Sequence, residues 1–131
     1  MKKKILIVDD SASWRKFHLA SLNTIKPNSF EYTIAESARE AFEIVLKNKE
    51  TPFDLVISDL QMESDYEPDL AGEWLVKNIK TLKEYSEKKI IIISAMYNIE
   101  SIAKELDVDY LRKSTLASNL LPLKLKLEEI Y

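Results

Sequence analysis

Three short, continuous runs of branched apolar residues constrain the fold of this chain more than any other feature. They are Ile5-Leu6-Ile7-Val8, Leu55-Val56-Ile57 and Ile90-Ile91-Ile92-Ile93. Strands of a parallel sheet are buried on both faces, so their sequences stay apolar instead of alternating with polar residues. With two weaker segments, these runs predict five parallel strands. The predicted strands are Lys4–Val8, Tyr32–Ala35, Leu55–Ser58, Ile90–Ser94 and Val108–Leu111.

Amphipathic segments separate the predicted strands. We expect Trp14 and Trp74 to be core residues of their helices, and His18, on the first helix, to be solvated or hydrogen-bonded. Ser37-Ala38-Arg39-Glu40 is a capping box, which marks the start of the second helix. The final segment, Leu120 to Tyr131, fits either a strand or a helix. We predict a helix there, because five strand–helix units precede it and a last helix would cover the sheet. This alternation indicates an α/β fold with a doubly wound parallel sheet, in which ligands bind outside the carboxyl ends of the strands.

The composition narrows the class of protein. The net charge of -3 argues against nucleic acid as a partner. There is no cysteine, and Gly72 is the only glycine, so glycine-rich phosphate loops are excluded. The apolar runs are too short to span a membrane or to form a signal peptide. We therefore expect a cytoplasmic protein with a single domain over residues 1–131.

Polar residues that could form a site follow the predicted strands. Asp9 and Asp10 follow the first strand, Asp59 the third, and Lys113 lies just beyond the fifth, while Ser94 ends the fourth. The carboxyl ends of parallel strands lie at one edge of the sheet, so these side chains are expected to come together there. Carboxylates that lie close to one another need a compensating cation, and oxygen ligands suit Mg²⁺.

In this order, and on these elements, the residues resemble the receiver domain of two-component response regulators, across nearly the whole chain. A single aspartate or lysine would mean little, but several positions in the right order are a specific signal. The matching positions are Asp9-Asp10, Asp59, the hydroxyl–alanine pair Ser94-Ala95, Tyr110 and Lys113. The resemblance implies a (βα)5 flavodoxin-like fold and a signalling switch that is not an enzyme.

The resemblance also implies a role for each of these residues. Asp59 would accept a phosphoryl group and become an aspartyl phosphate, with Lys113, Ser94 and Ala95 binding the phosphate. Ser94 and Tyr110 would switch conformation afterwards. The implied cofactor is Mg²⁺, with Mn²⁺ able to substitute, and the implied metal ligands are Asp9, Asp10, Asp59 and Gln61.

Partners follow from the same resemblance. The phosphoryl donor would be a sensor histidine kinase or a histidine phosphotransfer protein in a phosphorelay. The protein that reads the switch is not identified by the sequence, and a homodimer is left open. We expect no membrane partner and no direct nucleic-acid partner.

The sequence departs from the family pattern around the site. Ser114 stands where the family has a proline after the lysine, which puts the orientation of Lys113 in doubt. The loop after Asp59 is longer than usual and acidic, and the segment from Ser94 to Lys113 is shorter, which predicts a short fourth helix. The glycine that normally ends that helix is absent, with Asp107 near its place.

The sequence leaves three functions open. The first is a phosphoryl-accepting receiver without an attached output domain, or one cut from a longer protein. The second is a pseudo-receiver, an interaction module that is not phosphorylated. The third is a phosphatase or mutase of the haloacid-dehalogenase type, which needs an acid two residues after the nucleophile. Gln61 occupies that position and cannot donate the proton, so the third function is the weakest.

Overall fold

The computed structural model of the protein describes residues 2–62, 70–86 and 89–130. Strands and helices alternate through these residues, as the apolar pattern predicts. The strands are β1 (Lys3–Val8), β2 (Phe30–Ala35), β3 (Leu55–Ser58), β4 (Lys89–Ser94) and β5 (Asp109–Arg112). The helices are α1 (Ala12–Ile25), α2 (Ala38–Lys47), α3 (Ala71–Lys80), α4 (Ile99–Leu106), α5 (Lys113–Ser118) and α6 (Leu121–Glu128).

The strands form one parallel sheet in the order β2-β1-β3-β4-β5. This order confirms the predicted doubly wound fold, in which the chain reverses direction across the sheet next to β1. β1 and β3 are neighbours in the middle, and Val8 lies in register with Ser58. Asp9 and Asp59 therefore leave the sheet side by side at its carboxyl edge, where such folds bind their ligands.

Successive side chains along each strand point to opposite faces, and both faces are covered. Strand residues that pack beneath α2, α3 and α4 are Leu6, Val8, Val56, Ile90 and Ile92. Those that pack beneath α1, α5 and α6 are Ile5, Ile7, Leu55, Ile57, Ile91, Ile93 and Leu111. Burial on both faces explains why the central strands read as continuous apolar runs instead of alternating with polar residues.

The C-terminal segment is helical, as predicted. Leu123 and Leu127, one helical turn apart, are buried against the sheet, whereas Leu121 and Leu125 are each 54% exposed. A strand would have placed all four on one face, so the burial pattern excludes that alternative. An ion pair at 3.2 Å between Lys126 Nζ and Asp109 Oδ1 also joins α6 to β5.

Helix α4 is short, as the sequence predicts, and ends in an unusual way. Asp107 follows its last residue with φ 56° and ψ 55°, which is the left-handed conformation. Its backbone N–H donates to the Ala103 and Lys104 carbonyls, and Lys80 Nζ donates to the Leu106 and Asp107 carbonyls. Asp107 thus closes the helix at a position that normally favours glycine.

Replacing Asp107 with glycine is therefore expected to stabilise the protein. A left-handed conformation costs a residue with a Cβ atom about 1–2 kcal/mol, and the extra freedom of glycine in the unfolded chain offsets part of the gain. We expect Asp107→Gly to raise the free energy of unfolding by about 0.5–1 kcal/mol and Asp107→Ala to lower it, measured by urea unfolding. A glycine variant no more stable than the alanine variant would contradict this account of the helix end.

The acidic loop after Asp59 lies mostly outside the described residues, including Glu63, Asp65, Glu67 and Asp69. Among the residues that are described, none belongs to a helix long and apolar enough to cross a membrane.

The expectation that Trp74 is a core residue is wrong. Trp74 is 41% exposed on α3, where its ring makes an edge contact with Phe42 of α2.

Candidate functional site

Three predicted site residues meet at the carboxyl edge of the sheet. Lys113 Nζ donates to Asp59 Oδ2 at 2.7 Å and lies 3.0 Å from Asp9 Oδ2. All three side chains are buried, with Asp9 1% exposed and Asp59 and Lys113 8% each. The ends of β1, β3 and β5 thus bring two carboxylates onto one ammonium group.

The orientation of Lys113 does not depend on a proline after it. Throughout the described segments no peptide bond is cis, and Lys113 starts α5 directly after the extended residue Arg112. Its side chain still reaches Asp59. Serine at position 114 is therefore compatible with the lysine position that the family resemblance implies.

The charges at this cluster are not balanced. Burial raises the pKa of Asp9 and the charge of Asp59 raises it further, although the Ser11 amide and Lys113 oppose this. Burial acts to lower the pKa of Lys113, but its hydrogen bond to Asp59 and the charges of both carboxylates raise it overall. One ammonium group faces two buried carboxylates, so the cluster favours a further cation.

The backbone around Asp59 fixes the direction of its carboxylate. The Leu60 amide donates to Asp59 Oδ1 at 2.6 Å, and the Asp59 amide donates to the Val8 carbonyl at 3.0 Å. The Gly72 amide at the start of α3 donates to the Leu60 carbonyl at 2.9 Å. A Cβ atom on Gly72 would lie closer than 3.0 Å to both the Asp59 carbonyl oxygen and Leu60 Cα. The only glycine of the chain therefore lets α3 begin directly against the Asp59 segment.

Asp9 is held from the other side by the start of α1. Its Oδ1 accepts from the Ser11 amide at 2.9 Å, and the Ser11 hydroxyl caps the helix by accepting from the Trp14 amide. Arg15 Nη1 donates to the Asp9 carbonyl at 2.8 Å. These contacts leave Asp9 Oδ2 as the oxygen that faces Lys113.

The remaining predicted residues surround this cluster. Ser94 is buried, and its hydroxyl oxygen accepts from the Met96 amide at 3.3 Å. Ala95 is exposed, Asp10 is half-buried and Gln61 is exposed, with the Gln61 amide 3.5 Å from Asp59 Oδ1. Tyr110 is half-buried and packs on the core beneath α2, α3 and α4. Direct contacts thus join Asp9, Asp59 and Lys113, while the others line the neighbouring loops and strand.

Two residues of α1 that the sequence interpretation assigned elsewhere lie at this cluster. Trp14 was expected to be a core residue, but it is half-buried, and Lys113 Nζ lies 4.8 Å from its ring centroid. A cation over an aromatic face is favourable. His18 was expected to be solvated or hydrogen-bonded, but it is 1% exposed, and its Nδ1 has no hydrogen-bond partner in the described part of the chain. Its Nε2 lies 3.9 Å from Asp9 Oδ2.

The spacing of Trp14 and His18 in the sequence could have predicted that both lie beside the acidic pair. Trp14 and His18 are four residues apart, so they occupy one face of the helix that begins beside the acidic pair. Burial, and after it the charge of Lys113, lowers the pKa of His18 to about 4, although Asp59 acts in the opposite direction. The imidazole is therefore neutral at pH 7.

Arg112 is a further residue near the site that was not predicted from the sequence. Its Nη1 lies 3.3 Å from the Tyr97 carbonyl and 3.5 Å from the Met96 carbonyl. The arginine precedes Lys113 and lies in register with Ser94 across the neighbouring strands β4 and β5. It therefore attaches the loop after β4 to the end of β5.

The donor atoms at the cluster suit Mg²⁺, which prefers carboxylate and carbonyl oxygens. Asp9 Oδ2 is buried, and within residues 2–62, 70–86 and 89–130 it has an ion pair with Lys113 but no hydrogen bond. The same residues contain no group of three or more acidic, histidine or cysteine side chains arranged as a metal site. The fit to a cation therefore rests on the excess negative charge and the oxygen donors.

Comparison with known proteins identifies the family of the chain. The family model for the response regulator receiver domain matches residues 5–122. A search of curated protein sequences finds no match. Among solved structures, the chemotaxis response regulator CheY4 of Vibrio cholerae is similar, with 25% identity, TM-score 0.74 and full coverage of both chains. A CheY-like receiver domain from Methylobacillus flagellatus has 23% identity, TM-score 0.76 and full coverage of both chains.

A third solved structure extends the fold comparison. It is a response regulator from Chloroflexus aurantiacus, described as putative in its name, with 22% identity and TM-score 0.78 over 99% of this chain and 98% of that one. Because the family model covers most of the chain and the sheet order agrees, the protein is a member of the response regulator receiver domain family, a signalling module of two-component systems.

Proposed function

We propose that this receiver accepts a phosphoryl group on Asp59 from a phosphohistidine of a sensor kinase or phosphotransfer protein, with Mg²⁺ as cofactor. The observation that supports the proposal most directly is the buried contact of Lys113 with both Asp59 and Asp9. It provides a nucleophile at a strand end together with a cation able to bind a phosphoryl oxygen. Receiver domains typically bind Mg²⁺ and receive phosphoryl groups from histidine proteins, which the family membership supports.

The chemistry is a transfer between two nucleophiles. A carboxylate oxygen of Asp59 forms a bond to phosphorus while the phosphorus–nitrogen bond of the donor breaks, and the bonding electrons return to the imidazole. The Leu60 amide, which donates to Asp59 Oδ1, holds the carboxylate in one direction during this step. Lys113 offsets the negative charge that would otherwise keep the two anions apart.

The same residues provide the expected metal ligands. Mg²⁺ supplies further charge compensation to the phosphoryl oxygens when it is bound. The residues that would hold it are Asp9, Asp10, Asp59 and the backbone carbonyl of Gln61.

Phosphorylation would then change the surface through Ser94 and Tyr110. The phosphoryl group adds about -1.5 to -2 charges at the end of β3. Ser94 can donate its hydroxyl proton to a phosphoryl oxygen, and Tyr110 is half-buried in the adjacent strand. A movement of Ser94 toward the phosphoryl group leaves space that the Tyr110 ring can enter. Partner proteins would distinguish the two arrangements at this end of the sheet.

Intact-mass measurement tests this function. With Mg²⁺ and a small acyl phosphate, the protein is expected to gain the mass of one phosphoryl group, and Asp59→Asn is expected to gain none. Asp107→Asn is a matched control, because Asp107 is exposed before β5, at the edge of the sheet opposite the cluster, and the substitution should leave the adduct unchanged.

If no phosphoryl adduct is observed, there are two explanations, and beryllofluoride binding distinguishes between them. This phosphoryl mimic does not hydrolyse, so a protein that binds it with Mg²⁺ but shows no adduct is dephosphorylated quickly. A wild-type protein that neither gains mass nor binds beryllofluoride is a pseudo-receiver, and the proposed function is then wrong.

A further inference from the structure

The indole ring of Trp14 lies beside the proposed nucleophile. Lys113 Nζ is 4.8 Å from the centroid of this ring, and the same nitrogen donates to Asp59 Oδ2 at 2.7 Å. A single ammonium group therefore separates the ring from the carboxylate that would attack phosphorus. The Trp14 amide donates to the Ser11 hydroxyl, which fixes the tryptophan in the first turn of α1, directly after the acidic pair.

A phosphoryl donor has to approach this cluster from the loops beyond the carboxyl edge of the sheet. On the other side of the cluster lie the fully buried strand residues Val8 and Ser58. On the loop side, Gln61 and Ala95 are exposed. Trp14 is half-buried at the same level, so it is not sealed in the core and borders the path of an approaching donor.

The contacts that Trp14 makes within the protein do not require so large a ring. Lys113 is already held by the carboxylates of Asp59 and Asp9, and such charge-assisted contacts are stronger than the attraction of a cation to an aromatic face. The other close ring is that of Phe17, which meets the indole edge to face with centroids 5.1 Å apart. A smaller apolar side chain would also cover Phe17, so the indole has aromatic surface to offer to a ligand.

The phosphoryl donor of the proposed function carries a ring of its own. In an in-line transfer, the leaving nitrogen lies on the far side of phosphorus from the attacking oxygen. The imidazole of a phosphohistidine would therefore lie outside the carboxyl edge, among the loops that Trp14 borders. Aromatic rings attract one another in stacked or edge-to-face contact, and an imidazole that carries a proton is also attracted to an indole face as a cation.

We propose that Trp14 contacts the imidazole ring of the donor and makes this receiver selective for imidazole donors over small donors without a ring. This inference rests on the proposed phosphorylation of Asp59. The transfer itself is unchanged: the bond from an Asp59 oxygen to phosphorus forms while the phosphorus–nitrogen bond breaks, and its electrons stay with the imidazole nitrogen. Trp14 adds affinity for the donor ring and takes no part in the bond changes.

Two small donors isolate the contribution of the ring. Monophosphoimidazole carries its phosphoryl group on an imidazole nitrogen, whereas phosphoramidate has a phosphorus–nitrogen bond but no ring. The measurement is the second-order rate constant for phosphorylation by each donor with Mg²⁺, from intact mass at low donor concentration. An altered position of Lys113, altered Mg²⁺ binding or a loss of stability affects both donors, so the ratio of the two rate constants reports on the ring.

Three variants test the role of the indole. Trp14→Leu is expected to lower the rate constant for monophosphoimidazole about three- to tenfold relative to that for phosphoramidate, because an aromatic contact is lost. Trp14→Phe keeps an aromatic ring and should retain most of the wild-type ratio. Trp74→Leu is the matched control. It also removes a partly exposed tryptophan, but one whose ring packs against Phe42 of α2, and it should leave the ratio unchanged.

Other outcomes overturn the proposal. If Trp14→Leu keeps the wild-type ratio, the indole does not contact the donor ring. Equal losses for both donors lead to the same conclusion, because they would arise from Lys113 or from the fold. A wild-type protein that reacts with neither donor and does not bind beryllofluoride contradicts the proposed phosphorylation itself, and that result is distinguishable because it requires no variant.

Discussion

Replacing Gly72 with alanine is expected to destabilise the protein by about 1–3 kcal/mol or more, because the new methyl group has no space. It would lie within 3.0 Å of the Asp59 carbonyl oxygen and Leu60 Cα, which are backbone atoms that cannot rotate away. At an unconstrained helical position the same change would stabilise by roughly 0.5–1 kcal/mol, because alanine favours helix. The sign of the effect therefore tests the close approach, and urea unfolding measures it.

The same substitution should also reduce beryllofluoride binding. Relief of the clash must move either α3 or the segment that positions the Asp59 carboxylate, and the Gly72 amide would no longer reach the Leu60 carbonyl at 2.9 Å. Lys77→Ala is the matched control, since Lys77 is exposed on the same helix. A Gly72→Ala protein as stable as this control would show that α3 can move freely from the Asp59 segment.

Replacing Lys113 with methionine is expected to change binding of the two ligands in opposite directions. The ammonium group occupies the space between two carboxylates and competes with any other cation there. Without it, Mg²⁺ binding should become tighter, because Asp9 and Asp59 lose the ammonium group that they share. Beryllofluoride binding should be largely lost, because Mg²⁺ remains but the ammonium group that would bind a phosphoryl oxygen is gone. Calorimetry with each ligand measures both changes.

Lys113→Met should also lower the free energy of unfolding, by an amount that depends on pH. Removal of one partner from a buried ion pair costs about 3–5 kcal/mol when the remaining charges stay buried. Burial raises the pKa of Asp9 already, and loss of Lys113 removes a cation that lowers it. A carboxyl group whose pKa is raised in the folded state stabilises the folded protein at low pH, where it is protonated. This stabilisation is lost as the pH rises through the folded-state pKa. The defect of Lys113→Met should therefore be small near pH 4 and grow toward pH 8.

A matched lysine variant makes this result specific. Lys104 is exposed on α4, so Lys104→Met should leave both affinities and the pH dependence of stability unchanged. In the wild type, the pKa of Lys113 is raised, so its stabilisation persists throughout the neutral range and is lost only above the ordinary pKa of lysine. If Mg²⁺ affinity falls in Lys113→Met, the ammonium does not compete with a metal ion.

The sheet could be predicted from the sequence because its signals are local. Continuous apolar runs mark strands buried on both faces, and all five predicted strands are present with bounds that differ by at most two residues. The central contacts followed from the strand ends, since Val8 and Ser58 are in register and the next residue of each strand is an aspartate. Lys113 was predicted from its place after β5, although the doubt about Ser114 was unnecessary.

The residues that were misjudged depend on how each helix is rotated about its axis. His18 and Trp14 lie on the buried side of α1 beside Asp9, whereas Trp74 lies at the exposed side of α3. An apolar pattern shows that a helix has an inner face, but it does not show which of its aromatic residues lie at the edge of that face. The contact of Arg112 with the Met96 and Tyr97 carbonyls depends on distant backbone geometry, which no local pattern reports.

The link made by Arg112 has a mechanical consequence. One strand end supplies both Lys113, which contacts Asp59, and Arg112, which holds the loop that follows Ser94. Lys113 and that loop are therefore connected through a single peptide unit. Tyr97, 89% exposed in the same loop, is therefore linked to Asp59 through Arg112 and Lys113.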